Sequence, residues 1–425
     1  MVPHHYVVRW RDRPSGAFEV FAIPRLGTPS TVACSPVHRW AYPGACTAAF
    51  RSPDGKIARM PGPIAGRCVP GGRDRTLAQV YRRFGEVDAA QTSPLYVSVA
   101  VALSECEDAL RAIGTAPPRK RHPTVILAAL HDLALAGRAP ALAAAYAASD
   151  GDAAAGAAID TLLRMTDSVV DIASRRQMST IEAGRCAVLY PAIAEAVHRV
   201  GANTVGLIDV CCSAGLNLNV DRVGIRYSNG QTLGEPASAV QLSSAIVGDR
   251  PIPIRAMPEV VARIGVDLDP VDITDADDAR WVRACLSPDQ PERVARLEAE
   301  MMLTATATAP ALLLQGDPLK LLPAAVAHVP VDALPVIMTT WALSKFPLES
   351  RLRFLHRLDE AAAGRAVAWV SAEGVGVAPA IPTLGDRRAS GHSIIGLAVF
   401  EGSALRTEAI GRCWSQGRLL AWLAH

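Results

Sequence analysis

Asp209-Val210-Cys211-Cys212-Ser213-Ala214-Gly215 is the stretch of the chain best placed to do chemistry. It grows out of residues 205–210, a short continuous apolar run of the kind that forms a buried parallel strand. Three further apolar runs end comparably, at Gly316-Asp317, at Thr339-Thr340-Trp341 and at Ser371-Ala372-Glu373. Ligands of open α/β sheets bind outside the carboxyl ends of the strands, where the strand order reverses. Four such ends make a candidate ligand site. A second chemistry also suits the first of them. A strand followed by G-x-S-x-G and a helix is the nucleophile elbow of α/β-hydrolases. Residues 211–215 supply Ser213 and Gly215 but lack the first glycine. The chain order Ser213, Asp317, His392 matches a Ser…Asp…His triad. A simpler role for Ser213 is a helix N-cap.

Other side chains could join the site. Glu182 and Arg185 are three residues apart and share a helix face, either as an ion pair or leaning over the strand ends. His131 precedes Asp132 in an apolar helical stretch; it could be a general base, or a hydrogen-bonded histidine of the core. Asp267, Asp269, Asp272, Asp275, Asp277 and Asp278 resemble a calcium loop at first sight. Counted from Asp267, however, the places that need Gly and Glu hold Asp272 and Asp278. These acids read better as turn residues and as helix N-terminal acids near Trp281, and no metal is expected. Arg119-Lys120-Arg121-His122 reads as a solvated basic turn.

The elements that must position these residues fall into three zones. Residues 1–74 are rich in Pro, Gly, Arg and Trp and have little helical periodicity. Two short strands are expected there at 6–10 and 18–23, around Pro14-Ser15-Gly16, and Met60 is a candidate natural start. Residues 75–200 form a helical domain or cap. Helices are expected from Leu77 to Val87, from Pro94 with Ser93 as N-cap, and at 123–136, 141–148, 155–175 and 182–200, the last closed by Gly201. Residues 201–425 form the strand-rich zone, with an insertion at about 228–308. In it, strands are expected at 223–227 and 240–247 and helices at 258–264, 277–286 and 291–302, with Asp289 as an N-cap. From residue 311 strand and helix alternate, and a hairpin at 394–410 closes the sheet. The rhythm implies a Rossmann-like, mostly parallel sheet covered on both faces, with an antiparallel edge.

Composition narrows the partners. Of 425 residues, 50% are hydrophobic and 20% charged, as in a folded globular protein. Formal net charge is +2, too balanced for a nucleic-acid or anionic-membrane footprint, so a small-molecule substrate is the expected partner. The basic residues are nearly all arginine; Lys56, Lys120, Lys320 and Lys345 are the exceptions. No run of about 18 apolar residues is free of charge, and the start has no signal-peptide layout. The nine cysteines include no C-x-x-C pair and read as reduced, buried thiols. A cytoplasmic setting follows from these features.

Two resemblances sharpen this reading. The segment Asp209–Gly215 followed by Gly316-Asp317 is similar to the pattern of class I S-adenosylmethionine-dependent methyltransferases. The resemblance implies that cofactor is bound by Asp209, Cys211, Ser213, Gly215, Asn217 and Asp317. Asp209 would face the methionine ammonium, residues 211–215 would form the close turn, and Asp317 would read the adenine amino group. It leaves His131, Glu182, Arg185, Trp341 and Glu373 as candidates for substrate contact. Cys211 stands where the pattern has glycine, and Ser228-Asn229 rather than an acid follow the next expected strand. A relative that keeps the fold as a non-catalytic binding or scaffolding module is the alternative. From about Leu77 to Leu423 the chain also resembles the DUF2332 proteins, a bacterial family of unknown function. That likeness rests on Tyr81-Arg82-Arg83-Phe84, His131-Asp132-Leu133, Glu182-Ala183-Gly184-Arg185-Cys186, the stretch from Ser213 to Leu218, the stretch from Ser287 to Arg293, Thr340-Trp341-Ala342-Leu343 and Ser371-Ala372-Glu373-Gly374.

Overall fold

The computed structural model describes residues 6–12 and 18–24 as backbone, and residues 76–179, 183–307, 309–402 and 404–424. Strands β1 (Tyr6–Asp12) and β2 (Phe18–Pro24) form an antiparallel pair with Tyr6 opposite Pro24, as the two short runs suggest. Met60, Cys34, Cys46, Cys68 and Glu182 lie outside the described residues.

Among the described residues of 77–200 there are eight α-helices: α1 (Leu77–Arg83), α2 (Pro94–Glu105), α3 (Glu107–Ile113), α4 (Pro123–Leu135), α5 (Pro140–Ala147), α6 (Gly151–Arg164), α7 (Thr166–Arg175) and α8 (Cys186–Val200). The first seven share one apolar core built on Tyr81, Leu103, Ile126, Leu130 and Leu162. Helix α8 belongs elsewhere: it packs on the sheet. The expected helix at 155–175 is two helices that break at Met165, whose φ of −124° is not helical. The Thr166 hydroxyl donates to the Leu162 carbonyl at 2.8 Å and occupies an acceptor at the end of α6. Gly201 ends α8 in the left-handed conformation, as its sequence position suggests.

The remaining strands are β3 (Thr204–Val210), β4 (Gly224–Tyr227), β5 (Thr232–Gly234), β6 (Gln241–Ile246), β7 (Glu259–Asp267), β8 (Leu312–Gln315), β9 (Leu334–Thr340), β10 (Val367–Gly374), β11 (Ser393–Glu401), β12 (Ala404–Trp414) and β13 (Leu419–Trp422). They form one 11-stranded sheet of order β5-β4-β6-β13-β12-β11-β10-β9-β3-β7-β8. The run β8-β7-β3-β9-β10 is parallel throughout. In chain order it reads 3-2-1-4-5, the doubly wound arrangement, with the reversal between β3 and β9. This is the Rossmann-like α/β class that the strand-helix rhythm implies. The expected hairpin is β11 and β12, and it lies antiparallel against β10.

Side chains alternate along each strand and so sort the core into two faces. Val205, Leu207, Val336, Met338, Ala368 and Val370 face α8. Ile208, Val210, Ile337 and Trp369 face α11 (Pro318–Ala327) and α12 (Leu348–Ala361). Asp209 therefore points to the α8 side and Glu373 to the other.

Two expectations fail in instructive ways. The helix expected at 258–264 is replaced by strand β7, which begins at Glu259 and lies inside the expected insertion. Val260, Val261, Ile264 and Val266 are β-branched, and β3 offers a full ladder beside them. A side chain at Gly265 would put its Cβ 2.6 Å from Cys212 Sγ, so the glycine lets the strand lie under the turn. Asp289 does not cap α10 (Pro291–Ala305), whose N-cap is Gln290. Its carboxylate instead accepts from Leu95 N–H at 2.9 Å and from the Ser93 hydroxyl at 2.7 Å, completing the N-terminus of α2. Among the described residues no single helix is long and apolar enough to cross a membrane.

Candidate functional site

The turn after β3 is built from backbone hydrogen bonds to β7. Cys211 N–H donates to the Val266 carbonyl at 2.8 Å, and Ser213 N–H donates to Asp267 Oδ2 at 2.9 Å. Residues 211, 213 and 215 all take positive φ, at 60°, 53° and 67°. A left-handed residue with a side chain costs roughly 1–2 kcal/mol, so Cys211 and Ser213 adopt there what glycine would adopt freely. The Val266 carbonyl and the Asp267 carboxylate supply the compensating bonds. Ser213 does not cap a helix: its hydroxyl bonds to Ser179 at 3.0 Å, and the 3-10 stretch Leu216–Arg222 starts from Gly215.

Three acids stand at the ends of three adjacent strands. Asp209, on β3, is 1% exposed and accepts the Asn217 amide at 3.1 Å. Burial pushes its carboxyl up to about 7, against the opposing pull of Asn217 and Arg185. Asp317 follows β8, caps α11 through a 2.9 Å bond from Leu319 N–H, and sits beside Gly316 at a φ of 148°. Between them Asp267 ends β7, half-buried, and Gly316 N–H donates to its carbonyl at 2.8 Å. The strand beside β3 on this side is thus β7, and it ends in an acid. The expected neighbour, residues 223–227, is β4 near the far edge of the sheet, so Ser228 and Asn229 lie away from the site. The sequence carried only part of the signal: β7 ends in Val266-Asp267 much as β3 ends near Asp209, but Arg263 interrupts the apolar run before it.

The ends of β9 and β10 form the other half. Trp341 takes a φ of 53°, and its indole N–H donates to the Ser393 hydroxyl at 2.8 Å. The Arg185 guanidinium carbon lies 5.4 Å from the centroid of that ring, and Arg185 Nη1 donates to Thr340 Oγ1 at 3.1 Å. Glu373 Oε1 accepts the N–H groups of Ala342 and Leu343, each at 3.0 Å. Burial brings the Glu373 carboxyl up to about 7 despite those two amides and the nearby Arg185 and Arg351. Burial also pushes the Cys211 thiol up to about 12, so it is no nucleophile near neutral pH.

Residues 78–422 match the model of the family described as "Uncharacterized protein conserved in bacteria (DUF2332)". The chain belongs to this family. No curated protein matches it. Within the DUF2332 region, several of the motifs behind the resemblance meet at the strand ends. They are the segment before α8, the turn after β3, Thr340-Trp341 and the end of β10. Gly184 in the first of these packs against Gly417, where an added Cβ would lie 2.2 Å from the Gly184 carbonyl oxygen at a φ of 101°. Gly417→Ala is expected to cost about 3 kcal/mol or more, read as a lowered midpoint in urea unfolding.

His131 is not brought to the strand ends. It is buried in α4, its Nδ1 lies 3.0 Å from the Leu286 carbonyl, and it packs edge-on against Tyr146 at 5.5 Å. Burial lowers its pKa, which suits a neutral core histidine. The serine triad does not assemble either. His392 Nε2 lies 2.9 Å from Asp386 Oδ2, and β11, which it precedes, is three strand spacings from β3, about 14 Å. A fluorophosphonate probe is expected to leave Ser213 unlabelled in intact-mass analysis; stoichiometric labelling would contradict this geometry. The acids after β7 serve the backbone: Asp275 caps α9 (Ala276–Ala284), and Asp272 accepts from Thr274. Among the described residues no group of three or more His, Cys, Asp or Glu could hold a metal ion.

Proposed function

We propose that this protein binds S-adenosylmethionine at the ends of β3, β7 and β8, as a methyltransferase acting on a small molecule or a relative that keeps the cofactor. The observation that carries the reading is the pairing of three strand-end acids, Asp209, Asp267 and Asp317, with a turn left-handed at 211, 213 and 215. The donor set suits such a ligand. Asp209 can answer an ammonium group, and each oxygen of Asp267 accepts one backbone N–H and keeps lone pairs for a ribose diol. Asp317 uses one oxygen on Leu319 and can accept an amino group with the other. Leu268, 66% exposed next to Asp267, offers an apolar surface to a base. When bound, the cofactor supplies an electrophilic methyl group; the chain's part is to bind it, hold the acceptor in line and exclude water. A cytoplasmic setting belongs to this reading.

The Cys211 side chain in the turn favours a second reading, a binding module without turnover. Calorimetry with S-adenosylmethionine and S-adenosylhomocysteine tests the first. Binding that Asp317→Ala weakens at least tenfold is expected. No binding at millimolar ligand would remove the proposal, and binding without turnover on any acceptor would favour the second reading.

A further inference from the structure

The two halves of the strand-end site differ in what they leave open. Glu373 reaches from the end of β10 to the residues that follow β9, where two backbone amides fix its Oε1. Arg351 braces that loop by donating to the carbonyls of Leu343 at 2.9 Å and Phe346 at 2.8 Å. Glu373 Oε2 has no hydrogen-bond partner among the described residues, in a side chain 1% exposed. Ser371 Oγ, on the same face of β10 and fully buried, has none among them either. A buried polar atom without a partner is costly, and native sites that keep one do so for catalysis, an ordered water or a ligand. The open oxygen therefore belongs to the β9–β10 half of the site, beside the residues that follow β9 and lead on from Trp341 and Thr340, which Arg185 touches.

We propose that Glu373 is the proton acceptor for a substrate that is methylated on an O–H or N–H group and held at the ends of β9 and β10. This rests on the cofactor reading above. As the acceptor's oxygen or nitrogen bonds to the methyl carbon, the methyl–sulfur bond breaks, and its electron pair stays on sulfur. The acceptor's proton passes to Glu373 Oε2. A base works best with a pKa near the working pH, and burial brings Glu373 to about 7. Arg185 and Arg351 are the cations that act on Glu373, and Ser371 is its polar neighbour on β10.

Two known ligands test this without knowledge of the substrate. S-adenosylmethionine carries a sulfonium cation that S-adenosylhomocysteine lacks, and a nearby cation favours the ionised carboxylate. Calorimetry at pH 7 in two buffers of different ionisation enthalpy counts the protons released on binding. If the pKa falls by about one unit, S-adenosylmethionine should release roughly 0.4 proton more than S-adenosylhomocysteine. The difference should vanish in Glu373→Gln. In the wild type it should also shrink at pH 5 and pH 9. At saturating ligand it should persist in Asp209→Asn, which removes the other carboxyl raised to about 7. Its loss there would assign the proton to Asp209 and overturn the role of Glu373 even if the Glu373 variant misfolds. Equal release by both ligands at pH 7 would overturn the role of Glu373 and leave the cofactor reading standing. Failure of either ligand to bind would overturn both.

Discussion

Asp267→Ala should weaken S-adenosylmethionine binding by at least about 100-fold, the largest single effect expected at this site. The carboxylate has two tasks, and alanine removes both. One is to accept Ser213 N–H and Asp269 N–H, at 2.9 Å and 3.0 Å, which ties the turn after β3 to the end of β7. The other is to accept the hydroxyls of a ribose. Each hydrogen bond to a charged group is worth about 1.5–3 kcal/mol, and 100-fold in affinity is about 2.7 kcal/mol. Loss of a single ligand contact at the upper end of that range, or of two at the lower, reaches it. Titration calorimetry reads the affinity and urea unfolding reads the turn. Asp267→Asn keeps one oxygen acceptor of similar shape and separates the two tasks, because it should hold the turn better than it holds a diol. An alanine variant that binds S-adenosylmethionine within threefold of the wild type would remove Asp267 from the site.

That residue also shows where the sequence is and is not legible. The ends of β3, β9 and β10 could be read from apolar runs that stop at Asp209, Trp341 and Glu373, because a strand buried on both faces is a continuous apolar run. Strand β8 is the half-exposed edge of the sheet and was marked by its unbroken leucines and the Gly316-Asp317 that follows them. Strand β7 lies nearer the sheet edge, where Val261 is 41% exposed and Arg263 interrupts the run to pair with Asp221 at 2.7 Å. Its mixed pattern resembles a helix, and only the ladder with β3 decides the matter. Strands β4 and β6 were visible as elements, but their place near the far edge of the sheet was not. A segment that follows β3 in the chain need not lie beside it. The capping role of Asp289 was hidden for a related reason: its partner helix α2 begins almost 200 residues earlier. Local spacing suggests caps within a few residues, while tertiary contact assigned this one across the chain. The left-handed backbone at Cys211 and Ser213 could not be inferred from residue type, since both residues ordinarily avoid it.

The second large effect concerns stability against pH. Asp209 and Glu373 are each pushed up to about 7 by burial, well above the unfolded values near 3.9 and 4.3. Between those unfolded values and pH 7 the folded chain holds protons that the unfolded chain has released. Stability from these two groups is therefore fully present below about pH 4, falls as pH rises, and levels off above 7, with a slope per group of at most about 1.4 kcal/mol per pH unit. The charged groups acting on Asp209 are Arg185 and Asp267, and those acting on Glu373 are Arg185 and Arg351. Buried His131 and, at the surface, partly desolvated His122 work in the opposite sense, because their lowered pKa favours the folded state as pH rises toward 6.5. Comparison of variants cancels that common contribution. Asp209→Asn and Glu373→Gln keep the shape and an oxygen acceptor while removing the proton equilibrium, so each should flatten the fall in Tm between pH 4.5 and 7.5, and the double variant should flatten it further. If the double variant shows the same pH slope as the wild type, these carboxyls are not the protonated pair, and the general-base role of Glu373 falls with them. If the slope flattens, the same measurement shows that the site holds its two acids ready to ionise when a cationic ligand arrives, which makes affinity rise with pH across neutrality.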